Sequence, residues 1–242
     1  MGIATRTPRI RLTEDERKKL SILVSEAQSR GITIPKSIIS NTYIFPHDEN
    51  GYFIKFDGGH FDANEKQERF ISSRARFVAL ISGRGGGKSA SAAQKALKKI
   101  ELGQSGMVAN PTFEDFKTST WLEFKSWIPW SMVVPAQKYR AAPEWEPSQP
   151  FKLTFVNGAT VQCKGLNNPD SARGPNINWF WYDEAGKDMT GEAWQIATAS
   201  VRVGIEPQAW LSTTPSGMNW IYDIFVEQDF PEDVMEEYKR RS

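Results

Sequence analysis

The feature that most constrains the fold is a glycine-rich segment between a short apolar run and a stretch of helical composition. Its residues are Ser82-Gly83-Arg84-Gly85-Gly86-Gly87-Lys88-Ser89. The apolar run Phe77–Ile81 predicts a buried strand, and Lys88–Leu102, with its Ala, Leu and Lys content, predicts a helix. A strand, a glycine turn and a helix in this order are the context of a phosphate-binding loop, in which backbone N–H groups face phosphate oxygens.

The residue types in this segment suit a nucleotide with its metal ion. Lys88 would reach the β- and γ-phosphates of ATP, and the Ser89 hydroxyl would be a ligand of Mg²⁺. The usual pattern has glycine at position 82, where this chain has Ser with Gly83 beside it. The alternative, a glycine turn with an incidental lysine, leaves the flanking strand and helix unexplained.

A second segment ends in two adjacent carboxylates. Residues 179–182 are all aromatic and predict a strand buried on both faces, after which Asp183 and Glu184 emerge at the carboxyl end. Neighbouring residues of a strand point to opposite sides, so the two carboxylates can have different roles. Asp183 would hold Mg²⁺ and Glu184 would activate or orient the attacking water. The alternative is a strand that ends in a solvated acidic turn.

Strands and helices alternate along the rest of the chain, which predicts an α/β fold with a mostly parallel sheet flanked by helices. Asn157-Gly158 lies between two apolar runs and predicts a hairpin. Further predicted elements are helices at Glu65–Ser72 and Phe113–Trp127, a possible strand or hairpin at Tyr52–Phe56, and strands at Gly106–Ala109 and Ala209–Thr213. An amphipathic helix is predicted to begin at Thr13 and to carry Leu20, Leu23 and Val24 on one face.

Composition excludes several classes of protein. The single cysteine, Cys163, allows no intramolecular disulfide and fits a reducing cytoplasm. No run of about 18 apolar residues occurs, so neither a membrane span nor membrane binding is predicted. The net charge is only +1, so any contact with DNA must come from local patches, for which Lys138 and Arg140 are candidates alongside their interpretation as ordinary solvated side chains.

Over roughly residues 60 to 228 the chain resembles the ATPase domain of the terminase large subunits of tailed bacteriophages. Besides the two segments above, Gln67 stands where that family contacts adenine, and Leu211-Ser212-Thr213-Thr214-Pro215 is similar to its coupling motif, with Thr214 as a candidate nucleotide contact. Arg173 stands where the family has an arginine finger that acts on the neighbouring subunit, and Arg84 matches an arginine inside the phosphate loop. An ordinary Ser/Thr turn and a surface Arg173 paired with Asp170 are the alternatives.

The resemblance implies an ASCE-type P-loop ATPase that moves double-stranded DNA into a procapsid. It implies a ring of copies of the chain, five by analogy, with a portal protein and a small terminase subunit as partners, in the host cytoplasm. We expect 61–218 to be the ATPase core, 1–60 an N-terminal arm and lid-associated segment, and 219–242 a C-terminal lid segment. In the predicted lid contact, the apolar face at Leu20, Leu23 and Val24 packs against the segment around Trp220, Ile224 and Phe225. The nuclease domain of full terminases is expected to be absent. The alternatives are a P-loop helicase or translocase on nucleic acid and a nucleotide-dependent assembly switch.

Overall fold

Six strands form one sheet in the order β1-β6-β5-β2-β4-β3. The computed structural model describes residues 45–142, 144–174, 176–204 and 206–227, all within a compact unit spanning Phe45–Ser242. The strands are β1 (Phe77–Ile81), β2 (Gly106–Asn110), β3 (Phe151–Thr154), β4 (Thr160–Gly165), β5 (Trp179–Asp183) and β6 (Gln208–Thr213). Neighbours are parallel except β3 and β4, which are antiparallel and joined through Asn157-Gly158. The predicted α/β fold class and hairpin are confirmed.

The three central strands, β6, β5 and β2, are buried along their whole length because helices cover both faces of the sheet. Alternation along β5 separates its aromatic side chains into two cores. Trp179 and Trp181 belong to one apolar cluster, whereas Phe180 and Tyr182 belong to the cluster on the other face. The aromatic run therefore packs into the cores on both faces of the sheet, and Asp183 follows it as the last residue of the strand.

The helices surround this sheet. They are α1 (Glu65–Ser72), α2 (Lys88–Glu101), α3 (Phe113–Asp115), α4 (Trp121–Trp127), α5 (Glu192–Ala199) and α6 (Trp220–Tyr222), with π-helical segments at Phe116–Thr120 and Asp223–Glu227. Short 3-10 turns occupy Trp130–Met132, Pro135–Ala141, Pro169–Ala172 and Ala185–Lys187. None of the helices in the described part of the chain combines the length and apolar character needed to cross a bilayer.

A buried lysine joins α2, the helix that follows the glycine-rich segment, to the end of α1. The Lys95 ammonium donates to the carbonyls of Phe70, Ile71 and Ser73 at 3.1, 3.3 and 2.7 Å, and so contacts carbonyls at the C-terminal end of α1. Burial, with Lys99 and Lys98 nearby, lowers the pKa of Lys95 to about 7. The middle of α2 is thereby joined to the helix that also carries Gln67.

Two predicted elements differ from the structure. The helix expected over Phe113–Trp127 is interrupted by the π-helical segment Phe116–Thr120. Of the strand or hairpin expected at Tyr52–Phe56, the described residues contain one isolated antiparallel bridge, between His47 and Phe53. The Phe53 backbone is instead satisfied by a side chain of α2, since its N–H donates to Gln94 Oε1 at 2.8 Å and its carbonyl accepts from Gln94 Nε2 at 2.9 Å.

The predicted lid contact is only partly described. The helix that begins at Thr13 and its apolar face at Leu20, Leu23 and Val24 lie outside the described residues. In the other half of that prediction, the described residues 220–227 contact the core: the Trp220 and Phe225 rings lie at centroid distances of 6.1 and 5.9 Å from Trp194 of α5. The division into core and lid segments stays a prediction.

Candidate functional site

The carboxyl ends of three neighbouring parallel strands bring the sequence motifs together. β1 leads into the glycine-rich segment, β6 ends at Thr213, and β5, between β6 and β2, ends at Asp183. Ligands of open α/β sheets bind at this edge, because the loops that follow the strands meet there. The structure therefore places both motifs of the sequence at one edge of the sheet.

The glycine-rich segment turns through two residues in the left-handed region. Gly85 has φ of 74° and Gly87 has φ of 65°, a conformation that strains any side chain. A Cβ at Gly87 would also lie 2.5 Å from Gln67 Nε2. The hydroxyl of Ser82 is buried and finds no hydrogen-bond partner among the described residues, so this loop holds an unused polar group. A glycine-rich loop whose backbone N–H groups can face a ligand, with an unpartnered hydroxyl beside them, suits a polyanion such as a polyphosphate.

Lys88 and Ser89 begin α2 and face the centre of the site. Lys88 is buried, and its ammonium donates to the Gly83 carbonyl at 3.0 Å, so it folds back over the loop. The Ser89 hydroxyl donates to Asp183 Oδ2 at 2.9 Å. That hydrogen bond joins the two predicted magnesium ligands across 94 residues of sequence.

Asp183 is fully buried and accepts three hydroxyl hydrogen bonds. Oδ2 accepts from Ser89 and from Thr120 at 2.6 Å, and Oδ1 accepts from Ser212 at 2.6 Å. Burial raises the pKa of Asp183, and the hydrogen bonds from Ser212, Thr120 and Ser89 act in the opposite direction. The carboxylate is therefore held in one orientation by three different elements.

Glu184 has a backbone conformation that only glycine adopts without strain. Its φ is 52°, and it opens the 3-10 turn Ala185–Lys187. Holding a residue other than glycine there costs about 1 to 3 kcal/mol, and such strain clusters at functional sites. Burial and the neighbouring Asp183 raise the pKa of the Glu184 carboxyl, opposed by Lys88 and Lys187. The Glu184 carboxyl thus interacts electrostatically with Lys88 of the phosphate loop and with Lys187 of the turn.

The predicted coupling segment contacts the turn that follows Glu184. The Thr213 hydroxyl accepts from the Gly186 N–H at 2.9 Å and donates to the Thr214 carbonyl at 3.1 Å, and the Ser216 hydroxyl donates to the Gly186 carbonyl at 3.0 Å. A shift of this segment would therefore move the turn that carries Glu184. Thr214 takes part through its backbone carbonyl.

Gln67 contacts the phosphate loop itself. Its Nε2 donates to the Gly86 carbonyl at 3.1 Å, and its Oε1 accepts from the Asn64 N–H at 2.8 Å as part of the N-terminal cap of α1. Both halves of the amide are thus engaged. Its predicted contact with adenine would require that the amide leave one of these partners.

Neither predicted arginine forms a side-chain hydrogen bond or ion pair with Lys88, Ser89, Asp183 or Glu184 in the described residues. Arg173 lies between β4 and β5, directly after the 3-10 turn Pro169–Ala172. Its side chain is 72% exposed, and Nε donates to Asp170 Oδ1 at 2.8 Å. Arg84 is exposed on the loop. Of the two candidates for DNA contact, Lys138 is exposed, whereas the Arg140 guanidinium stacks over Phe151 at 4.8 Å and donates to the Lys152 carbonyl at 2.7 Å.

Three contacts of this site lie outside the sequence prediction. Ser212 is in register with Asp183, so strand pairing and alternation could have shown that its hydroxyl faces the carboxylate. Lys187, three residues after Glu184, forms an ion pair with Asp115 of α3. Thr120 carries no sequence signal, because its direction depends on the π-helical segment that contains it.

Comparison with known proteins connects this geometry to one family. A family described as "Terminase large subunit, T4likevirus-type, N-terminal" matches residues 80–239, about two thirds of the chain. A comparison with curated protein sequences finds no match.

Two solved structures have a similar fold. The large terminase ATPase domain of Thermus phage P74-26 is 23% identical with a TM-score of 0.50, over 68% of this chain and 70% of that one. The HK97 bacteriophage large terminase is 14% identical with a TM-score of 0.55, over 74% of this chain and 40% of that one. At these identities the likeness concerns the fold.

Proposed function

This chain belongs to the T4-like terminase large subunit family, in its N-terminal domain, and on that premise we propose that it is an ATP-hydrolysing motor domain that drives double-stranded DNA into a viral procapsid. The observation that carries the proposal is the hydrogen bond from Ser89 to Asp183, because it joins the phosphate loop to the acidic strand end. That pairing is what a P-loop ATPase needs to hold a nucleotide and its metal ion together.

In this proposal the loop amides and the Lys88 ammonium hold the phosphates, while Ser89 and Asp183 hold Mg²⁺. Among the described residues no group of three or more His, Cys, Asp or Glu forms a metal cage, and Mg²⁺ of nucleotide sites uses only one or two carboxylates with the phosphates. Bound Mg²⁺ would neutralise charge that develops on the phosphates. Glu184 orients the water that attacks the γ-phosphorus and accepts its proton.

We further propose that Arg173 acts on the active site of a neighbouring copy. Its side chain donates to Asp170 on the same turn rather than to the phosphate loop of its own chain. Its partner Asp170 is also exposed, and exposed ion pairs contribute only about 0 to 1 kcal/mol, so Arg173 can leave it at little cost. A site completed by the next subunit implies a ring, which we take as five copies by family analogy.

The proposed setting is the cytoplasm of the infected host cell. There the ring would work with double-stranded DNA, a portal protein and a small terminase subunit. In this proposal the chain hydrolyses ATP and does not cleave DNA. Glu184, a strained carboxylate directly after Asp183, favours sustained hydrolysis over a switch that only binds nucleotide.

ATP turnover per chain is expected to rise with protein concentration and to rise further with duplex DNA. Turnover rises with concentration because Arg173 reaches a neighbouring site only when copies assemble. It rises with DNA because duplex inside the ring favours assembly. Phosphate release should be measured over a protein dilution series, with no DNA, duplex DNA or single-stranded DNA. Turnover that is independent of concentration and of duplex DNA would contradict the ring motor, and stimulation confined to single strands would indicate a helicase-like translocase.

A further inference from the structure

The π-helical segment Phe116–Thr120 points one hydroxyl at the catalytic strand end. Thr118 of this segment is exposed and donates to the Glu114 carbonyl at 2.8 Å, four residues earlier, as helical threonines commonly do. Thr120 is fully buried and donates instead to Asp183 Oδ2 at 2.6 Å, across 63 residues of sequence. Two threonines of one segment therefore use their hydroxyls differently.

The π-helical geometry of the segment determines that the Thr120 side chain points toward Asp183. A π turn contains one more residue than an α turn, and each added residue rotates the following side chains by about 100° around the helix axis. Phe116, at the start of the segment, and Trp121, directly after it, are both fully buried in the aromatic core. The extra residue thus lets the helix keep its apolar contacts while Thr120 faces the sheet edge.

Thr120 supports Asp183 from a direction that the other hydroxyls do not cover. Ser212 approaches Oδ1 from the paired strand β6, and Ser89 belongs to the nucleotide loop and is itself a predicted metal ligand. Thr120 comes from the helical layer and shares Oδ2 with Ser89. When Ser89 serves the metal ion, Thr120 and Ser212 are left to orient the carboxylate.

The same helical region also reaches the far side of the strand end. Asp115 of α3, five residues before Thr120, forms an ion pair with Lys187 in the turn that follows Glu184. Thr120 and Asp115 thus contact the segments before and after Glu184. The region 113–120 forms a brace for the acidic strand end.

We propose that Thr120 is a positioning residue for the metal-binding carboxylate of Asp183, an inference that rests on the function proposed above. Its hydroxyl holds Oδ2 in the direction required for the metal ion and satisfies a lone pair that burial hides from water. Groups that orient metal ligands in this way typically change metal affinity or activity by about 10- to 100-fold when they are removed.

The test is Thr120→Val, which keeps the shape of the side chain and removes the hydroxyl. Mn²⁺ binding, in the presence of a non-hydrolysable ATP analogue, is followed by the loss of the free-ion electron paramagnetic resonance signal. We expect Thr120→Val to weaken Mn²⁺ binding by about 10- to 100-fold and to raise the Mg²⁺ concentration for half-maximal ATP turnover similarly. Thr120→Ser should restore both, and Thr118→Val, the matched control on the same segment, should leave both unchanged.

Other results would contradict either the role of Thr120 or the proposed function itself. Wild-type Mn²⁺ affinity and metal dependence in folded Thr120→Val would overturn the proposal. Equal defects in Thr120→Ser, which keeps the hydroxyl, and Thr120→Val, both with lower melting temperatures, would also overturn it, since general destabilisation of the fold would then be responsible. A wild-type chain that binds neither Mn²⁺ nor the nucleotide analogue would instead remove the proposed function, and the role of Thr120 with it.

Discussion

Replacing Glu184 with Gln is expected to lower ATP turnover by about 10²- to 10⁴-fold while ATP binding persists, because an amide can occupy the same space but cannot accept the proton of the attacking water. The carboxylate lies where burial and Asp183 raise its pKa, which makes it a better proton acceptor at neutral pH than an exposed glutamate. The binding residues Lys88, Ser89 and Asp183 are unchanged by this substitution.

Steady-state phosphate release and fluorescent nucleotide binding measure the two parts of this prediction. Glu192→Gln is the matched control, since Glu192 is an exposed carboxylate at the start of α5 and should show wild-type turnover. Glu184→Gln with turnover near that of the wild type would remove Glu184 from its assigned role. Loss of nucleotide binding in the variant would mean that the carboxylate shapes the site rather than acting on water.

Arg173→Ala should reduce turnover by about 10³- to 10⁵-fold, the range found when an arginine finger is absent from phosphoryl transfer. The guanidinium is permanently charged and offers forked donors, both of which alanine lacks. Nucleotide affinity should change little, because the finger stabilises charge that builds up during the reaction. Phosphate release at a protein concentration that saturates assembly is the appropriate measurement.

Asp170→Ala separates the finger from a surface ion pair. If the pair with Asp170 were the whole role of Arg173, both alanine variants would behave alike; we expect Asp170→Ala to keep most of the turnover. Mixing Arg173→Ala with Glu184→Gln gives a second test. Each variant alone is inactive, but in mixed rings the Glu184→Gln chain can supply a finger to an intact neighbouring site, so activity should return. No recovery would mean that the arginine acts within its own chain.

The parts of this protein that could be predicted from sequence are those set by local patterns. The glycine-rich segment, the aromatic strand before Asp183 and the hairpin at Asn157-Gly158 each combine a short motif with clear flanking elements. Parallel sheets then bring strand ends to a common edge, so the contact between Ser89 and Asp183 could be expected before any coordinates.

What could not be predicted depends on helix register and on competition between partners. Thr120 reaches Asp183 only because a π turn rotates it, and the aromatic sequence around it is equally compatible with an unbroken α-helix. Gln67 satisfies the loop carbonyl of Gly86, a partner that sequence spacing does not reveal. Glu184 is strained by the turn after β5, whereas its sequence context shows only an acidic strand end.

A calorimetric titration of the chain with ATP in the presence of Mg²⁺ tests the central claim most directly, that the 82–89 loop and Asp183 together hold the magnesium nucleotide. We expect saturable binding of one nucleotide per chain. The affinity for ATP should fall when a chelator removes the metal ion. A chain that gives no binding heat at any ATP concentration with Mg²⁺ present would contradict the claim.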